Sequence, residues 1–396
     1  MIVTESFLPA VNGVTNSVVR VAAHLRERGH EVLIVAPGPG ADRHDDVPVM
    51  RVPSIPFPLY PEMSMVRPTR RVSDAIANFR PDVMHVASPV VLGSMGLIAA
   101  KRHGVPAVAV FQTDLAGFAS DYGFGVASNS IWKVLRRIHR LSDLTLAPST
   151  PVVKQLESHG FGAVTKWGRG VDLERFNPRH RDEAWRSEVA PNGEMIVGYV
   201  GRLAHEKRVS DLSVLNDSTG VKVVVVGDGP AANDVRRALP DAVFLGALGG
   251  IDLSRAYASL DVFVHTGPHE TFCQTIQEAK ASRVPVIAPR SGGPIDLVTP
   301  GTGYLYRPDM PSHIRSYVDY LRLLPHFREF LAKNAFDSVQ DRSWAQVGDE
   351  LIGHYDATIR AREAGRDLGG GVGHAKDRPT LDGSGHRPRK MAVVGR

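Results

Sequence analysis

Apolar residues recur along the chain in short, mostly apolar runs that are separated by segments with helical spacing. In the first 110 residues these runs are Met1–Val3, Glu31–Val35, Pro81–Val86 and Ala107–Phe111. Because the runs do not alternate with polar residues, they predict strands buried on both faces of a sheet. The first helical segment, Ser17–Gly29, ends at a glycine suited to a helix C-terminus. This order predicts an α/β domain with a doubly wound parallel sheet.

A second series of the same kind begins near Gly193. Its strand candidates are Met195–Val200, Val221–Val226, Ala242–Leu245, Val262–Val264 and Pro285–Ala288. A last helix is predicted over about Val339–Ala361, and the Gly-rich, basic tail after it lacks periodicity, as disordered segments do. We therefore expect a first domain over residues 1–170, a hinge over 171–192, a second domain over 193–338, a C-terminal helix over 339–363 and a disordered tail over 364–396.

The composition is that of a water-soluble globular chain with two cores. A length of 396 residues suits two domains of about 150–200 residues each. The single cysteine, Cys273, excludes a disulfide scaffold and a Cys-rich zinc site, and it fits a reducing cytoplasm. No apolar run reaches the roughly 18 residues of a membrane-spanning helix, and the start resembles no signal peptide. Met1–Val3 looks like the end of a strand, so we expect an earlier native start or a short first strand.

The stretch Asp261–Ala279 carries the first candidate chemistry. It is predicted as a buried strand, a loop and the start of a helix, with Glu270 in the loop and Glu278 one to two turns inside the helix. Free backbone N–H groups at a helix N-terminus form a natural anion site. We expect those donors to come from Thr271, Phe272 and Cys273.

Two glycines follow another predicted strand, in the order Gly227-x-Gly229. This is close to a dinucleotide-binding fingerprint, which in a nicotinamide oxidoreductase is followed by a ribose-binding acid at the end of the next strand. Here that strand ends in Gly246. An oxidoreductase is therefore disfavoured, although the glycines still indicate a close backbone approach.

Two basic residues, Arg202 and Lys207, follow the strand that ends at Gly201. A planar guanidinium and a compact ammonium both suit a diphosphate. Ligands of open α/β sheets bind at the carboxyl ends of the strands, where this loop, the glycine loop and the Glu270 loop all lie. Together they predict a nucleoside diphosphate site.

These features resemble the retaining glycosyltransferases of the glycogen-synthase-like group, glycosyltransferase family 4. The resembling motifs are Gly-Arg-x4-Lys (Gly201, Arg202, Lys207), Gly-x-Gly (Gly227, Gly229), Glu-x7-Glu (Glu270, Glu278) and Gly-Gly-Pro-x-Asp (Gly292–Asp296). Glu5–Val14, Gln112–Asp114 and Glu270–Gln274 are similar to the actinobacterial GDP-mannose-dependent α-mannosyltransferases that act on a membrane glycolipid. The resemblance implies the GT-B fold, in which two Rossmann-like domains face each other across a cleft and the C-terminal helix crosses back to the first domain.

The resemblance also implies roles for individual residues. Arg202 and Lys207 would stabilise the leaving GDP, Glu270 would contact the transferred sugar, and Glu278 would bind the ribose. Further donor-binding residues would be Asn12, Gly13, Gly201, Gly227, Gly229, Thr271, Phe272 and Cys273, and the sugar or acceptor would meet Gln112 and Asp114. Many relatives carry Gly where Cys273 stands, His where Gln112 stands, and Gly where Arg283 ends a helix.

The activity implied is transfer of α-mannose from GDP-mannose, with retention, to a lipid-linked acceptor of the glucuronosyl-diacylglycerol type in lipomannan-like synthesis. Another nucleotide sugar, or a phosphatidylinositol mannoside acceptor, stays open. No Asp-x-Asp motif is present, so we expect no metal or other cofactor. The intact basic and acidic set disfavours a non-catalytic sensor, and the lack of a second paired acid beside Glu270 disfavours a glycosidase.

Two basic segments bear on location. The first holds Arg67, Arg70 and Arg71, and the second holds Lys133, Arg136, Arg137 and Arg140. In the second, an apolar stripe is formed by Ile131, Val134, Leu135, Ile138 and Leu141. Either these are ordinary amphipathic core helices, or their basic faces dock on anionic headgroups. The formal net charge of +5 permits an anionic membrane surface, and we expect no nucleic-acid partner. The resulting expectation is a cytoplasmic protein, peripheral on the inner face of the plasma membrane.

Overall fold

A computed structural model describes residues 1–10, 12–57, 60–67, 69–112 and 125–365. The chain divides into two compact units, each with its own parallel sheet. The first unit comprises Met1–Pro148, Val153–Trp167 and the chain from Gly348 onward, and the second comprises Ser149–Val152 and Gly168–Val347. The tail predicted over 364–396 lies almost entirely outside the described residues.

The first unit is built on a sheet whose strands are short and almost completely buried. Its strands, with a separate two-stranded hairpin formed by β5 and β6, are β1 (Ile2–Thr4), β2 (Ile34–Pro37), β3 (Arg43–His44), β4 (Val47–Val52), β5 (Ser54–Phe57), β6 (Tyr60–Val66), β7 (Met84–Ala87), β8 (Ala107–Val110), β9 (Leu144–Ala147) and β10 (Val164–Lys166). Its helices are α1 (Gly13–Glu27), α2 (Arg71–Phe79), α3 (Leu92–His103), α4 (Gly125–His139) and α5 (Thr150–Ser158), of which the first residues of α5 belong to the second unit.

The strand order in the first sheet is β10-β9-β8-β7-β1-β2-β4-β3, and every pair except β3–β4 is parallel. The chain leaves β1 toward one edge and returns at β7 to build the other, so the order reverses between β1 and β7. At this point Glu5, which follows β1, accepts hydrogen bonds from the backbone amides of Val90, Leu92 and Gly93 at 2.7–3.1 Å. The carboxylate therefore caps the start of α3.

The second unit repeats the architecture with six parallel strands. They are β11 (Met195–Val200), β12 (Val221–Val226), β13 (Val243–Gly246), β14 (Val262–Val264), β15 (Val286–Pro289) and β16 (Gly303–Tyr306). The helices around them are α6 (Glu183–Val189), α7 (Ala232–Ala238), α8 (Gly250–Ala258), α9 (Gln274–Ala281), α10 (Pro294–Leu297), α11 (Ser312–Leu323) and α12 (Pro325–Asp337). Short 3₁₀ helices occupy Pro178–His180, His205–Lys207 and Val209–Leu215.

The strand order in the second sheet is β13-β12-β11-β14-β15-β16. Alternate side chains of β11 enter different cores: Ile196 packs on one face of the sheet, and Val197 and Tyr199 pack on the other. The order reverses between β11 and β14, which pair directly at Val197 and Val262. In open parallel sheets this reversal leaves a crevice at the carboxyl ends of the two strands, where ligands bind.

The last helix, α13 (Trp344–Glu363), starts in the second unit and continues in the first. In the first unit, Asp349 lies 2.9 Å from the His24 ring, and the Tyr355 hydroxyl lies 2.7 Å from Nδ1 of the buried His85. Arg362 donates to Asp143 at 2.6 Å. These contacts secure the chain's return to the first unit. None of the helices in the described part of the chain has the length and hydropathy that crossing a lipid bilayer requires.

The predicted α/β class with two doubly wound parallel sheets is confirmed. Each predicted strand is present within a few residues, whereas β3, β4, β5, β6, β9, β10 and β16 were not predicted. Arg283 has a backbone φ of +60°, as expected from its position where relatives use Gly. The last helix begins at Trp344, five residues later than Val339, where it was predicted to start.

Candidate active site

An ion pair connects the two strands at which the second sheet reverses. Lys207 ends the 3₁₀ turn after β11, and Glu270 lies in the loop after β14. Nζ of Lys207 donates to Oε1 of Glu270 at 2.6 Å, with about a fifth of each side chain exposed. The residues predicted from two separate motifs therefore meet at the crevice between β11 and β14.

Burial alone would favour the neutral forms of both partners. For Glu270 the positive charge of Lys207 outweighs burial and places the pKa well below its ordinary value. For Lys207 the charge of Glu270 likewise outweighs burial and raises the pKa. The pair is therefore ionised at neutral pH, and it presents a fixed cation and a fixed anion side by side.

His265 directly follows β14 and stands beside this pair. Its Nε2 lies 3.3 Å from Oε1 of Glu270, and its side chain is 3% exposed. Burial opposes protonation of His265, but the adjacent Cys273 and Glu270 side chains outweigh burial and raise its pKa. The next residue, Thr266, donates from Oγ1 to the carbonyl oxygen of Lys207 at 2.6 Å. This bond ties the loop after β14 to the loop after β11.

Arg202 is held by an acid of its own loop. Its guanidinium donates to Oε1 of Glu206 at 2.6 Å, and the Glu206 side chain is 4% exposed whereas that of Arg202 is 49% exposed. The buried Tyr199 hydroxyl donates to the Arg202 carbonyl at 3.2 Å. Arg202 therefore keeps an open, positioned guanidinium at the carboxyl edge, though it does not contact Glu270.

The Gly227 and Gly229 loop packs against the loop after β11. A Cβ on Gly227, whose φ is +135°, would lie 1.9 Å from the carbonyl oxygen of Gly201. A Cβ on Gly229 would lie 2.4 Å from the carbonyl oxygen of Leu203. The predicted close approach is thus present, and it is between two backbone segments of the protein. The glycines allow the Arg202–Lys207 loop to sit on the next loop of the sheet.

A second pair of glycines supports the Glu270 loop. The amide of Gly293 donates to the carbonyl oxygen of Glu270 at 2.7 Å. A Cβ on Gly292 would lie 2.2 Å from that carbonyl oxygen, and a Cβ on Gly293 would lie 2.2 Å from the carbonyl oxygen of Phe272. The Gly-Gly-Pro motif therefore fixes the backbone on which Glu270 is carried.

The helix after this loop begins later than its sequence indicates. Cys273 has a φ of +81° and precedes α9, which starts at Gln274. A residue with a left-handed backbone cannot lie in the first turn of an α-helix. The prediction that Thr271, Phe272 and Cys273 supply the free amides of the helix N-terminus is therefore wrong in this detail. All three lie in the preceding loop, where Phe272 and Cys273 are buried.

Glu278 lies one turn inside α9, as predicted. Its Oε2 accepts a hydrogen bond from the Tyr257 hydroxyl at 2.9 Å. Burial raises the pKa of Glu278 to about 7, although the Tyr257 bond and the charge of Arg175 act in the other direction. This carboxyl is distinct from Glu270, because it is paired with a neutral donor and titrates near neutral pH.

Comparison with known proteins identifies the family. Residues 11–175 match Glycosyltransferase Family 4, and residues 180–338 match Glycosyl transferases group 1. A GDP-mannose-dependent alpha-mannosyltransferase of Mycobacterium tuberculosis is 51% identical over 368 residues, which cover 91% of this chain and 97% of that protein. The chain belongs to glycosyltransferase family 4.

Two further proteins are less similar to this chain in sequence. The sulfoquinovosyl transferase of Arabidopsis thaliana is 33% identical over 374 residues, which cover 88% of this chain and 71% of that protein. The Anabaena protein HepE, solved in complex with UDP and glucose, aligns with a TM-score of 0.72 at 18% identity and covers 90% of this chain and 99% of its own. That likeness concerns the fold, which is GT-B as predicted. The chain is a glycosyltransferase.

In this family 4 enzyme the predicted site residues of the first unit lie at the start of a helix and at the end of a strand. The Asn12 side chain caps α1, because its Oδ1 accepts from the amides of Val14 and Thr15 at 3.0 Å and its Nδ2 donates to Ser6 at 2.8 Å. Gly13 begins that helix. Gln112 is buried at the carboxyl end of β8, and Asp114 lies outside the described residues. A donor-binding role for Asn12 and Gly13, and contact of Gln112 and Asp114 with the sugar or the acceptor, stay predictions.

The family 4 motifs did not point to His265 or to Arg169. Arg169 is partly buried, and desolvation lowers its pKa to about 10 while the charge of Glu270 opposes that shift. His265 could have been found from its position, since it is the first residue after a strand at the ligand-binding edge. Arg169 lies at the end of the predicted first domain, just before the predicted hinge, and nothing in its local spacing indicates an active-site neighbour.

Proposed function

We propose that this glycosyltransferase moves α-mannose from GDP-mannose to a lipid-linked acceptor, with retention of the anomeric configuration. The observation that carries the proposal is the Lys207–Glu270 pair at the crevice of the second sheet. The donor assignment is supported by the 51% identical relative, whose name gives GDP-mannose as its donor.

The chemistry requires positive charge where the nucleotide departs. Breaking the sugar–phosphate bond leaves negative charge on the diphosphate, and fixed cations that meet this charge lower the barrier. Lys207 and Arg202 are such cations, and each is oriented by a carboxylate. We assign them to the diphosphate, with Glu270 turned toward the transferred sugar. The proposal for Glu278 is that it accepts hydrogen bonds from the ribose hydroxyls.

We expect this transfer to need no added metal ion. Lys207 and Arg202 would supply the charge stabilisation that Mg²⁺ supplies in other nucleotide-dependent enzymes. Activity that is unchanged by a chelator such as EDTA would support this expectation. Restoration of a chelator-inhibited activity by Mg²⁺ would contradict it.

A lipid acceptor requires the enzyme to work at a membrane surface, and the first unit presents basic residues for this. Arg67, Arg70 and Arg71 are exposed at and before the start of α2. Ser73 in α2 and His103 at the end of α3 form a 2.8 Å hydrogen bond. This bond brings the exposed Lys101 and Arg102 of α3 near the same surface. We propose that this basic surface binds anionic headgroups.

The second basic segment also departs from an ordinary core helix. Val134 was predicted in the apolar stripe of α4, but this is wrong because its side chain is 58% exposed. Lys133 and Arg137, its neighbours, and Arg140, which follows α4, are exposed as well. An exposed apolar residue among cations is typical of a surface that meets the lipid interface. The proposed location is therefore peripheral, at the cytoplasmic face of the plasma membrane.

A UDP-linked donor is the specific alternative, since the 33% identical relative is a sulfoquinovosyl transferase. The deciding experiment incubates the protein with labelled GDP-mannose, UDP-glucose and UDP-sulfoquinovose in turn. Each donor is tested with vesicles that contain glucuronosyl-diacylglycerol, a phosphatidylinositol mannoside or neither. We expect a labelled lipid only with GDP-mannose and glucuronosyl-diacylglycerol. Transfer from a UDP-sugar but not from GDP-mannose would overturn the donor assignment.

A further inference from the structure

Three side chains that can bind a metal ion converge beside the Lys207–Glu270 pair. A ring nitrogen of His265, a carboxylate oxygen of Glu270 and the sulfur of Cys273 all lie within 4.8 Å of one another. Ligands at the bond lengths of a tetrahedral Zn²⁺ site would stand about 3.3–3.8 Å apart. A shift of about 1 Å in these side chains would therefore complete three corners of such a site.

His265 provides an independent indication that a ligand belongs here. The residue is 2% exposed, and although its Nε2 lies 3.3 Å from Oε1 of Glu270, neither ring nitrogen makes a hydrogen bond of good geometry among the described residues. A buried polar atom without a partner is unfavourable, so such an atom in a native structure calls for an explanation. A metal ion on one ring nitrogen would provide it.

The backbone holds the thiol at this place. Cys273 adopts a left-handed backbone at φ +81°. Many relatives in the family carry glycine at this position. Its side chain is directed toward Thr275, with 3.4 Å between Sγ and Oγ1. A side chain at this strained position has a cost of about 1 kcal/mol relative to glycine, and what it adds to the site is a sulfur ligand.

We propose that His265, Glu270 and Cys273 form an inhibitory zinc site, in which the bound ion displaces Lys207 from Glu270 and blocks the sugar nucleotide. A set of one sulfur, one nitrogen and one oxygen suits Zn²⁺, whereas Mg²⁺ prefers oxygen ligands alone. The three protein ligands leave a fourth position for water. The inhibitory part rests on the proposed function, since it takes Lys207 and Glu270 as donor-binding residues.

Zinc and the lysine compete for the same anion. Nζ of Lys207 lies 2.6 Å from Oε1 of Glu270, so a divalent ion bound to that carboxylate would face a positive charge at close range. The ion and the assembled ion pair therefore exclude each other. Zinc should raise the apparent KM for the sugar nucleotide and leave kcat unchanged.

The test titrates the purified full-length protein with Co²⁺, a spectroscopic substitute for zinc. We expect one equivalent to bind and to give the charge-transfer absorption of a thiolate–cobalt bond. Cys273→Ser should abolish that band, and His265→Gln should weaken binding by about 10–100-fold. Lys207→Met should tighten binding, because it removes the competing cation. The control His326→Gln, which changes an exposed histidine, should leave the titration unchanged.

The outcomes separate the metal site from the proposed function. The site is refuted if wild-type protein gives no thiolate band, or if Lys207→Met binds cobalt more weakly. Zinc inhibition that lowers kcat without affecting KM for the donor would overturn the competition. The transferase assignment can be refuted independently of the metal site. A protein that shows the cobalt band but uses no sugar nucleotide would support the metal site and contradict the transferase assignment.

Discussion

Nζ of Lys207 and Oε1 of Glu270 are 2.6 Å apart, although 63 residues separate them along the chain. Each follows one of the two central strands, β11 and β14, at which the second sheet reverses its order. The pair is largely buried, so each side chain depends on the other to remain ionised. The proposed catalytic role and the stability of the protein therefore both depend on this contact, and substitutions can separate them.

The first prediction concerns Lys207. Lys207→Met should lower the transfer rate by about 10²–10³-fold, because one charge that stabilises the leaving group is lost. The same change leaves Glu270 buried without its cation, and breaking such pairs costs roughly 3–5 kcal/mol when both partners are deeply buried. Initial rates at saturating donor, with thermal unfolding of the same samples, measure both effects.

A double variant distinguishes the two effects. Lys207→Met with Glu270→Gln removes both charges, so we expect the unfolding midpoint to recover while transfer stays low. Lys333→Met is the matched control, since Lys333 is 65% exposed and forms a surface ion pair with Asp337. Recovery of activity in the double variant would contradict both proposed roles, because neither the Lys207 charge nor the Glu270 charge would then be needed for transfer.

The second prediction concerns the glycine loop. Gly227→Ala places a Cβ 1.9 Å from the carbonyl oxygen of Gly201 and strains a backbone at φ +135°. Because the obstructing atom is backbone, the loop that carries Arg202 and Lys207 must shift. We expect a loss of at least about 2 kcal/mol, which lowers the unfolding midpoint by several degrees, together with a rise in KM for the donor.

Gly249→Ala is the control for that substitution. No atom lies within 4 Å of a Cβ at this position, and its φ of −143° suits any residue. Its unfolding midpoint should match that of the wild type. Equal effects of the two substitutions would mean that the close packing at Gly227 is not needed.

The sequence predicted the fold well because the central strands are buried on both faces. Runs such as Val223–Val226 are apolar throughout, and this pattern is typical of the buried central strands of α/β proteins. The edge strand Gly303–Tyr306 was missed because it is short, begins with glycine and has intermediate burial at two of its four positions. Local spacing carries little information for such a strand, whose pairing with β15 depends on the whole sheet.

The residues of the candidate site were selected from the sequence, but the contacts between them were not predicted. Lys207 and Glu270 were both selected, yet their pairing follows from the strand order, which periodicity does not give. Cys273 shows that a local backbone feature can also escape sequence analysis. Its left-handed backbone delays the helix start to Gln274, and glycine is the one residue type that indicates such a conformation reliably. Tyr257, the partner of Glu278, lies on a different helix and was not predicted.

The third prediction concerns the membrane surface. Changing Arg67, Arg70 and Arg71 to Glu should weaken binding to vesicles that contain anionic lipid by about 100-fold or more, since each basic residue near such a surface contributes about 1 kcal/mol. Sedimentation with vesicles of increasing phosphatidylglycerol content measures it. Binding of the wild type should also fall as salt rises.

A triple variant of the second unit controls for net charge. Arg236, Arg237 and Lys333 are exposed, and their change to Glu alters the net charge by the same amount. If both triple variants lose binding equally, the effect is one of overall charge, and the basic surface of α2 and α3 has no specific role.

The last prediction uses the pKa of Glu278, which burial raises from 4.5 to about 7. A raised pKa means that folding favours the protonated acid, so the stabilisation is present below about pH 4.5 and is lost as pH rises through 7. Relative to Glu278→Gln, which cannot ionise and still accepts from Tyr257, the wild type should lose up to about 3 kcal/mol of unfolding free energy across this range. Donor binding should change in the opposite sense.

Ribose hydroxyls donate more strongly to a carboxylate than to a neutral acid, by roughly 1 kcal/mol. KM for the sugar nucleotide should therefore fall by about three- to fivefold between pH 6 and pH 8 in the wild type, while the Glu278→Gln enzyme should show a flat profile. Steady-state rates at several donor concentrations, measured at each pH with a fixed acceptor, give both curves. A parallel fall in the two enzymes would place the titrating group elsewhere and remove the ribose role from Glu278, because only the wild type carries a carboxyl at that position.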